Sequence, residues 1–292
     1  MSVSAVPLNP VKAGAGPQDG STSGRLLRIG CSYLLSAVLV IPIYWLLVTS
    51  LRQPAELQSA TTFWPASPNL VGYADVLTDP GFGRNLINSL IYGLGGVALG
   101  VVCGAAIGYA VARSSSRWGR YVMFSMLVLQ TFPNIMLALP LFILFSQFGM
   151  INNPLSVICA IGTKTIPFTA LMMRPQFAAI PLSVEQAASL DGCSRMGVFG
   201  RVVLPLVLPG LATVSAFNFV TGWGDLMFSF TLLTEASLQP VSVGLYKYMG
   251  LYAVDWNQLM AAALIASIPS IIVFFTSQRF LVAGSSSGAT NE

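Results

Sequence analysis

The chain has 292 residues, 14 Lys and Arg against 10 Asp and Glu, no His, 8% charged residues and a mean hydropathy of +0.74. A soluble domain carries about 25% charged residues, so this composition excludes one, and without His or clustered acids a His-based catalytic triad and a transition-metal site are excluded too. Cys31, Cys103, Cys159 and Cys193 stand too far apart for a disulfide framework or a zinc motif, and the net charge of +4 is not arranged as the basic, aromatic-laced stripe of a nucleic-acid binder.

Residues 1–24, rich in Gly, Ser, Pro and Ala, read as a disordered cytoplasmic tail. The apolar run from Ile29 to Leu51 follows Arg25 and Arg28. It is too long for a signal-peptide core and lacks a small-residue cleavage site, so it reads as a retained first span. Five more runs approach the ~20 residues that cross a bilayer: Leu86 to Ala112, Tyr121 to Ser146, Leu155 to Met173, Leu206 to Leu233 and Leu259 to Gln278. The expected fold class is therefore an all-α membrane protein with six transmembrane helices, a transmembrane domain over 25–282 and a cytoplasmic tail over 283–292. Six spans from an inside start return the C-terminus inside. Arg113, Arg117, Arg120, Arg174, Arg195, Arg201 and Arg279 then fall on the cytoplasmic side, and Arg52, Arg84 and Lys247 outside, as the positive-inside rule requires.

Between the first two spans, Arg52 to Arg84 reads as an external cap that another protein could touch, or as an irregular connection anchored by Trp64 and Tyr73. The second span carries Gly96, Gly100, Gly104 and Gly108, a stripe that lets two helices approach closely. The third contains Gln130 and Pro133 and the fourth Pro167, and such prolines kink membrane helices.

Lys164 falls about ten residues into the fourth span, on the order of 15 Å deep. A charge there costs about 2.5 to 3.5 kcal/mol on insertion scales and needs a wet cavity or a partner. Two readings stand. Lys164 faces a wet cavity and donates to polar or anionic groups there, or it is structural and pairs with a carbonyl or a carboxylate, for which Asp225 is one candidate. Asn218, Trp223, Gln130 and Asp225 are the other polar groups on a possible solute path. An amide both donates and accepts, and an indole offers a flat apolar face with one donor, but each also fits plain helix packing or an interfacial anchor.

The most polar stretch between two spans is Pro181 to Leu211. Ser183 as N-cap with Gln186 three residues on reads as a capping box. Ala187, Ala188 and Leu190 form a compact face, and Gly192 supplies a left-handed helix end. Met196, Phe199 and Val203 follow at helical spacing, as a face held against the membrane. The whole reads as a helix-turn-helix elbow on the membrane surface.

Gln186-Ala187-Ala188, then Asp191-Gly192, Leu204-Pro205 and Pro209, resemble the EAA coupling loop of ATP-binding-cassette importer permeases, on the side of the maltose-type second permease of the carbohydrate-uptake family. Gln186 stands where that family has Glu, with Glu185 one place earlier. Asn88-Ser89, Trp223-Gly224-Asp225, Gln278-Arg279 and Gly288-Ala289 extend the resemblance from about Arg25 to Ala289, with Gly224 in place of Asn.

The resemblance implies a type I ABC importer permease fold with a cytoplasmic coupling-helix loop over 181–205, in which Glu185, Gln186, Ala187, Ala188, Asp191 and Gly192 meet an ATPase. It implies a second homologous permease, an ATP-binding-cassette ATPase dimer and an extracytoplasmic solute-binding protein as partners, in a cell membrane. No cofactor is expected on this chain, with ATP and magnesium held by the ATPase subunits, and the sequence holds no GxxxxGK[ST] phosphate loop. Two other classes compete. A membrane enzyme needs catalytic groups paired at one depth, and Thr163 and Thr165 point away from Lys164 on a helix. A channel needs rings of charge and has no use for the elbow.

Overall fold

The computed structural model describes residues 22–59, 62–250 and 254–286, and among them the structure is helical with no named strand. Four helical stretches are long and apolar enough to cross a membrane: Arg28–Ser50, Pro80–Arg113, Pro154–Ala178 and Trp256–Gln278. Two further spans are broken pairs, Arg117–Thr131 with Asn134–Gln147, bent by 102°, and Arg195–Leu206 with Leu208–Trp223, bent by 84°. Counting each pair as one gives the six spans the hydropathy predicts.

Helix α1 (Thr22–Ser50) belongs up to Leu46 to a separate compact unit. Its described side chains before Leu46, among them Leu34, Leu39 and Ile41, are exposed, so this segment offers an apolar surface of its own. The second unit begins at Leu47. The connection after α1 contains two short helices, α2 (Pro54–Ser59) and α3 (Val71–Thr78), so it is partly ordered as helix. Asn257, at the start of the last helix, is buried and donates to the carbonyls of Ser50 (2.8 Å) and Arg52 (2.6 Å). Gln258 donates to Asp75 (3.1 Å), and Lys247 pairs with Asp79. Burial holds the Lys247 ammonium below the usual lysine range.

The second span starts where Asp79 accepts from the N–H of Gly81 and Pro80 presets the first turn. It runs as α4 (Pro80–Leu99), a π turn (Gly100–Gly104) and α5 (Ala105–Arg113). The third is α6 (Arg117–Thr131) and α7 (Asn134–Gln147), and its break falls at Phe132-Pro133, where the proline ring forbids a helical predecessor. The fourth, α8 (Pro154–Ala178), is capped by Asn153 and continues through Pro167 and Pro175.

The glycine stripe of the second span does pack on α8. A Cβ at Gly96 would meet Ile161, and one at Gly104 would lie 2.6 Å from Thr169 Cβ and 2.7 Å from the Ile166 carbonyl. Close approach of α4 and α5 to α8 is what the stripe is for.

The elbow follows as α9 (Leu182–Leu190) and α10 (Arg195–Val198), then a π turn (Phe199–Val203) and α11 (Leu204–Leu206). Helix α12 (Leu208–Trp223) is the apolar part of the fifth span. It stops at Trp223, short of the expected Leu233, because Gly224 and Asp225 open a turn into the separate helix α13 (Met227–Leu232). After α14 (Val241–Gly244), helix α15 (Trp256–Ser286) closes the described chain. Most of the tail over 1–24 and the end over 287–292 lie outside the described residues.

Candidate functional site

Elbow geometry comes from a few local bonds. Helix α9 ends in a Schellman motif: Gly192, at φ +88°, donates to Ser189 (3.1 Å), and Cys193 donates to Ala188 (3.1 Å). A left-handed φ is open to glycine without a Cβ clash. Ser194 then caps α10 by accepting from the N–H of Gly197 (3.2 Å). At the other end the expected capping box is absent. The helix begins at Leu182 after Pro181, with no side-chain cap, and Ser183 already lies inside the helix.

Two faces of the elbow differ sharply. On the inner face, Glu185 accepts from Tyr109 Oη (2.7 Å) and from Arg113 Nε (2.7 Å), and Arg113 also donates to the Ile180 carbonyl (3.0 Å). The Tyr109 ring stands edge-on to Phe177 (5.6 Å) and tilts over Phe199 (4.7 Å). Around them Met173, Phe177, Ile180, Val198, Val203 and Val207 form one buried cluster, onto which Ala188 and Cys193 pack. The elbow is thus clamped to the ends of the second and fourth spans by one ion pair and a core of aromatic and branched side chains.

On the outer face Gln186, Ala187, Asp191 and Gly192 are exposed, and so are Leu190 (89%) and Met196 (81%). Met196 therefore does not share the membrane-directed face with Phe199 and Val203, because it sits in the first turn of α10 and turns outward with Leu190. A hollow of about 740 Å³ is lined by Arg113, Glu185, Gln186, Leu190 and Arg195, among others. Exposed apolar side chains beside a charged hollow form a surface for another protein.

Five polar candidates for the solute path fall in four places. Gln130 and Lys164 lock together: Gln130 Nε2 donates to the Lys164 carbonyl (2.7 Å), and Lys164 Nζ donates to the Phe132 carbonyl, at the break of the third span. Lys164 therefore satisfies a carbonyl that Pro133 leaves outside the helical ladder, and Asp225 is not its partner. Asn218 is fully buried between α4, α8 and α12 and donates to Thr169 Oγ1 (2.8 Å), while its own Oδ1 has no partner among the described residues. Trp223 is buried and donates to the Ala266 carbonyl (3.1 Å). Asp225 is buried and accepts from the N–H (2.9 Å) and hydroxyl (2.8 Å) of Ser229, starting α13.

Sequence reasoning missed Tyr109 and Arg113, the partners of Glu185, and the stacked pair Phe168 and Phe217 (centroids 3.9 Å, 22°). Arg113 carried a signal, since it is the first charge after a long apolar run. Phe168 lies four residues beyond Lys164, on the same face of α8, so the Gln130–Lys164 and Phe168–Phe217 pairs form a strip along one face of α8 between the third span and the fifth. Gln130, Lys164 and Phe168 are partly exposed, and Phe217 is exposed.

A multi-span helical membrane subunit, with a two-helix elbow clamped to its spans and an outer face bare for a partner, is the class defined by this architecture. The chain belongs to the family of binding-protein-dependent transport system inner membrane components, which matches residues 96–286. It is similar to the sulfoquinovosyl glycerol transport system permease protein SmoH of Agrobacterium fabrum, 29% identical over 267 residues, covering 91% of this chain and 94% of that protein. It is also similar to the diacetylchitobiose uptake system permease protein NgcG of Streptomyces coelicolor, 29% identical over 274 residues, covering 92% and 90%. The fold matches a chain in the crystal structure of a bacterial ABC transporter involved in the import of the acidic polysaccharide alginate, with a TM-score of 0.76 at 24% identity, over 90% of this chain and 99% of that one.

Proposed function

We propose that this chain is the permease subunit of an ATP-driven carbohydrate importer, contributing half of the translocation path and receiving force through the loop 181–205. The clamp of Glu185 on Arg113 and Tyr109 carries the reading. A push on the elbow is delivered through it directly to the 34-residue second span, while Gln186, Ala187, Asp191 and Gly192 face outward to meet an ATPase subunit as a helix-in-groove contact. The partners are an ATP-binding-cassette ATPase dimer, a second homologous permease and an extracytoplasmic solute-binding protein. ATP and magnesium belong to the ATPase, and this chain binds no cofactor. Both termini lie on the elbow side, in the cytoplasm, as the arginine distribution supports.

For the solute, relatives named for transport of sulfoquinovosyl glycerol and diacetylchitobiose favour a carbohydrate. The strip through Gln130, Lys164, Phe168 and Phe217 supports the same class, with an amide to replace water on hydroxyls and an aromatic pair to cover a sugar face. Asn218, Trp223 and Asp225 border this path from inside the subunit. Gentle purification from the native membrane, followed by mass spectrometry, tests the reading. An ATPase and a second permease in the particle are expected, together with carbohydrate uptake that is lost when Gly192 is replaced by a bulky residue. A stable particle of this chain alone, across several mild detergents, overturns it.

A further inference from the structure

Beside the elbow lies a second hollow that the transport reading does not use. It has a volume of about 310 Å³ and is lined by Val111, Ser114, Ser115, Ser116, Gly119, Arg120, Met123 and Arg174. The link between α5 and α6 forms one wall and α8 the other. Since Arg113 reaches the elbow from the residue before Ser114, the hollow sits at the same membrane boundary as the elbow.

Its chemistry is one-sided. Arg120 and Arg174 bring two guanidinium groups, neither of which makes an ion pair among the described residues, and no lining residue is acidic. Ser114 Oγ accepts from the N–H of Ser116 (3.2 Å) and Ser116 Oγ from the N–H of Trp118 (3.2 Å). Both hydroxyl oxygens are thus occupied as acceptors, and their protons are left to donate. A concave site with two guanidinium groups, hydroxyl donors and no anion is complementary to a phosphate group.

The surroundings indicate where that phosphate comes from. Trp118 (75% exposed) and Tyr121 (61% exposed) flank the hollow on the first turns of α6, with their rings edge to face at 6.1 Å. Such an aromatic pair marks the headgroup level of a bilayer. Phe124 and Leu127 continue the exposed surface up the same helix, and Met123 gives the hollow an apolar wall on that side. Phosphate pocket and acyl-chain surface are therefore continuous.

We propose that Arg120, Arg174 and the serines of residues 114–116 bind the phosphate of an anionic phospholipid, whose chains lie along α6. Lipid bound there props the link between α5 and α6 beside the elbow clamp.

The test uses the complete transporter, purified with its partner subunits and placed in phosphatidylcholine nanodiscs containing a minority of phosphatidylglycerol. Lipid retained after return to detergent is counted by native mass spectrometry. Each arginine near a membrane surface adds roughly fivefold to anionic-lipid affinity, so the R120Q/R174Q variant is expected to bind phosphatidylglycerol about twenty-five-fold more weakly. Arg84→Gln, at the far end of α4, keeps the bound lipid. Unchanged melting of R120Q/R174Q in pure phosphatidylcholine shows that it folds, and R120K/R174K restores part of the binding if charge at this site is what matters. Equal retention by wild type and the Gln variant overturns the site. Displacement of the lipid by inorganic phosphate at equal concentration reassigns the hollow to a free anion and overturns the lipid claim. Retention only when the ATPase subunits are absent gives this face to a protein partner and overturns it as well.

Discussion

Arg113 Nη2 lies 2.5 Å from Glu185 Oε1, joining the last turn of α5 to the first turns of the elbow, with both side chains largely shielded from water. An ion pair in that setting is intermediate between exposed pairs, which contribute up to about 1 kcal/mol, and fully buried ones, where loss of one partner costs about 3 to 5 kcal/mol. It is also the shortest polar path from the elbow to the second span.

Glu185→Ala is expected to uncouple the transporter. ATP hydrolysis by the assembled complex becomes insensitive to solute while the subunit remains in the membrane, with a stability loss of about 2 kcal/mol. A double-mutant cycle with Arg113→Ala reads the pair directly, and additive effects on coupling show that the ion pair carries no force.

Leu190 and Met196 face away from the subunit core, so truncating them leaves folding alone and acts on assembly. Leu190→Ser is expected to weaken ATPase association by about tenfold or more, given the roughly 1.5 to 3 kcal/mol of burying a Leu side chain, with subunit melting unchanged. Binding of the ATPase to immobilised permease measures this, and unaltered affinity removes Leu190 from the interface.

Gly222 and Gly83 make a matched comparison. A Cβ at Gly222 would lie 2.9 Å from Gly93 Cα and 2.9 Å from the Tyr92 carbonyl, whereas nothing lies within 4 Å of one at Gly83. Gly222→Ala is therefore expected to destabilise the detergent-solubilised subunit by about 1 to 3 kcal/mol, and Gly83→Ala to be neutral or stabilising by up to about 1 kcal/mol. Equal melting of the two variants disproves the close packing of α4 on α12.

Lys164 makes its bond to the Phe132 carbonyl, so its removal frees a carbonyl at the broken third span. Lys164→Met is expected to lower uptake of neutral and anionic carbohydrates by the same factor. A loss confined to anionic solutes assigns the ammonium to the solute instead.

Much of this was legible in the chain, and what was not has physical causes. Spans one, two, four and six lie where their apolar runs fall, because a bilayer requires continuous hydrogen-bonded helix and the runs are long enough to supply it. The third and fifth were legible as lengths of apolar sequence but not as bends. Pro133 marks one break, but its 102° follows from packing between α7 and α13, residues about 90 apart in sequence. In the elbow, Gly192 was readable because only its backbone mattered. Ser183 does not cap because a capping box needs its serine just outside the helix, and Pro181 holds that place while Ser183 lies within α9. The roles of Asn218 and Trp223 turned on distant partners, Thr169 and Ala266, which no local spacing encodes.

The π turn at Gly100–Gly104 has a geometric consequence for the stripe it interrupts. In an α-helix a four-residue step overshoots a full revolution by about 40°, so four glycines spaced by four would wander by about 120° and leave α8 before reaching Gly108. A π turn winds less per residue and subtracts from that overshoot midway along the stripe. The wider turn thus acts as an angular correction that keeps both ends of the stripe, Gly96 and Gly108, seated on α8.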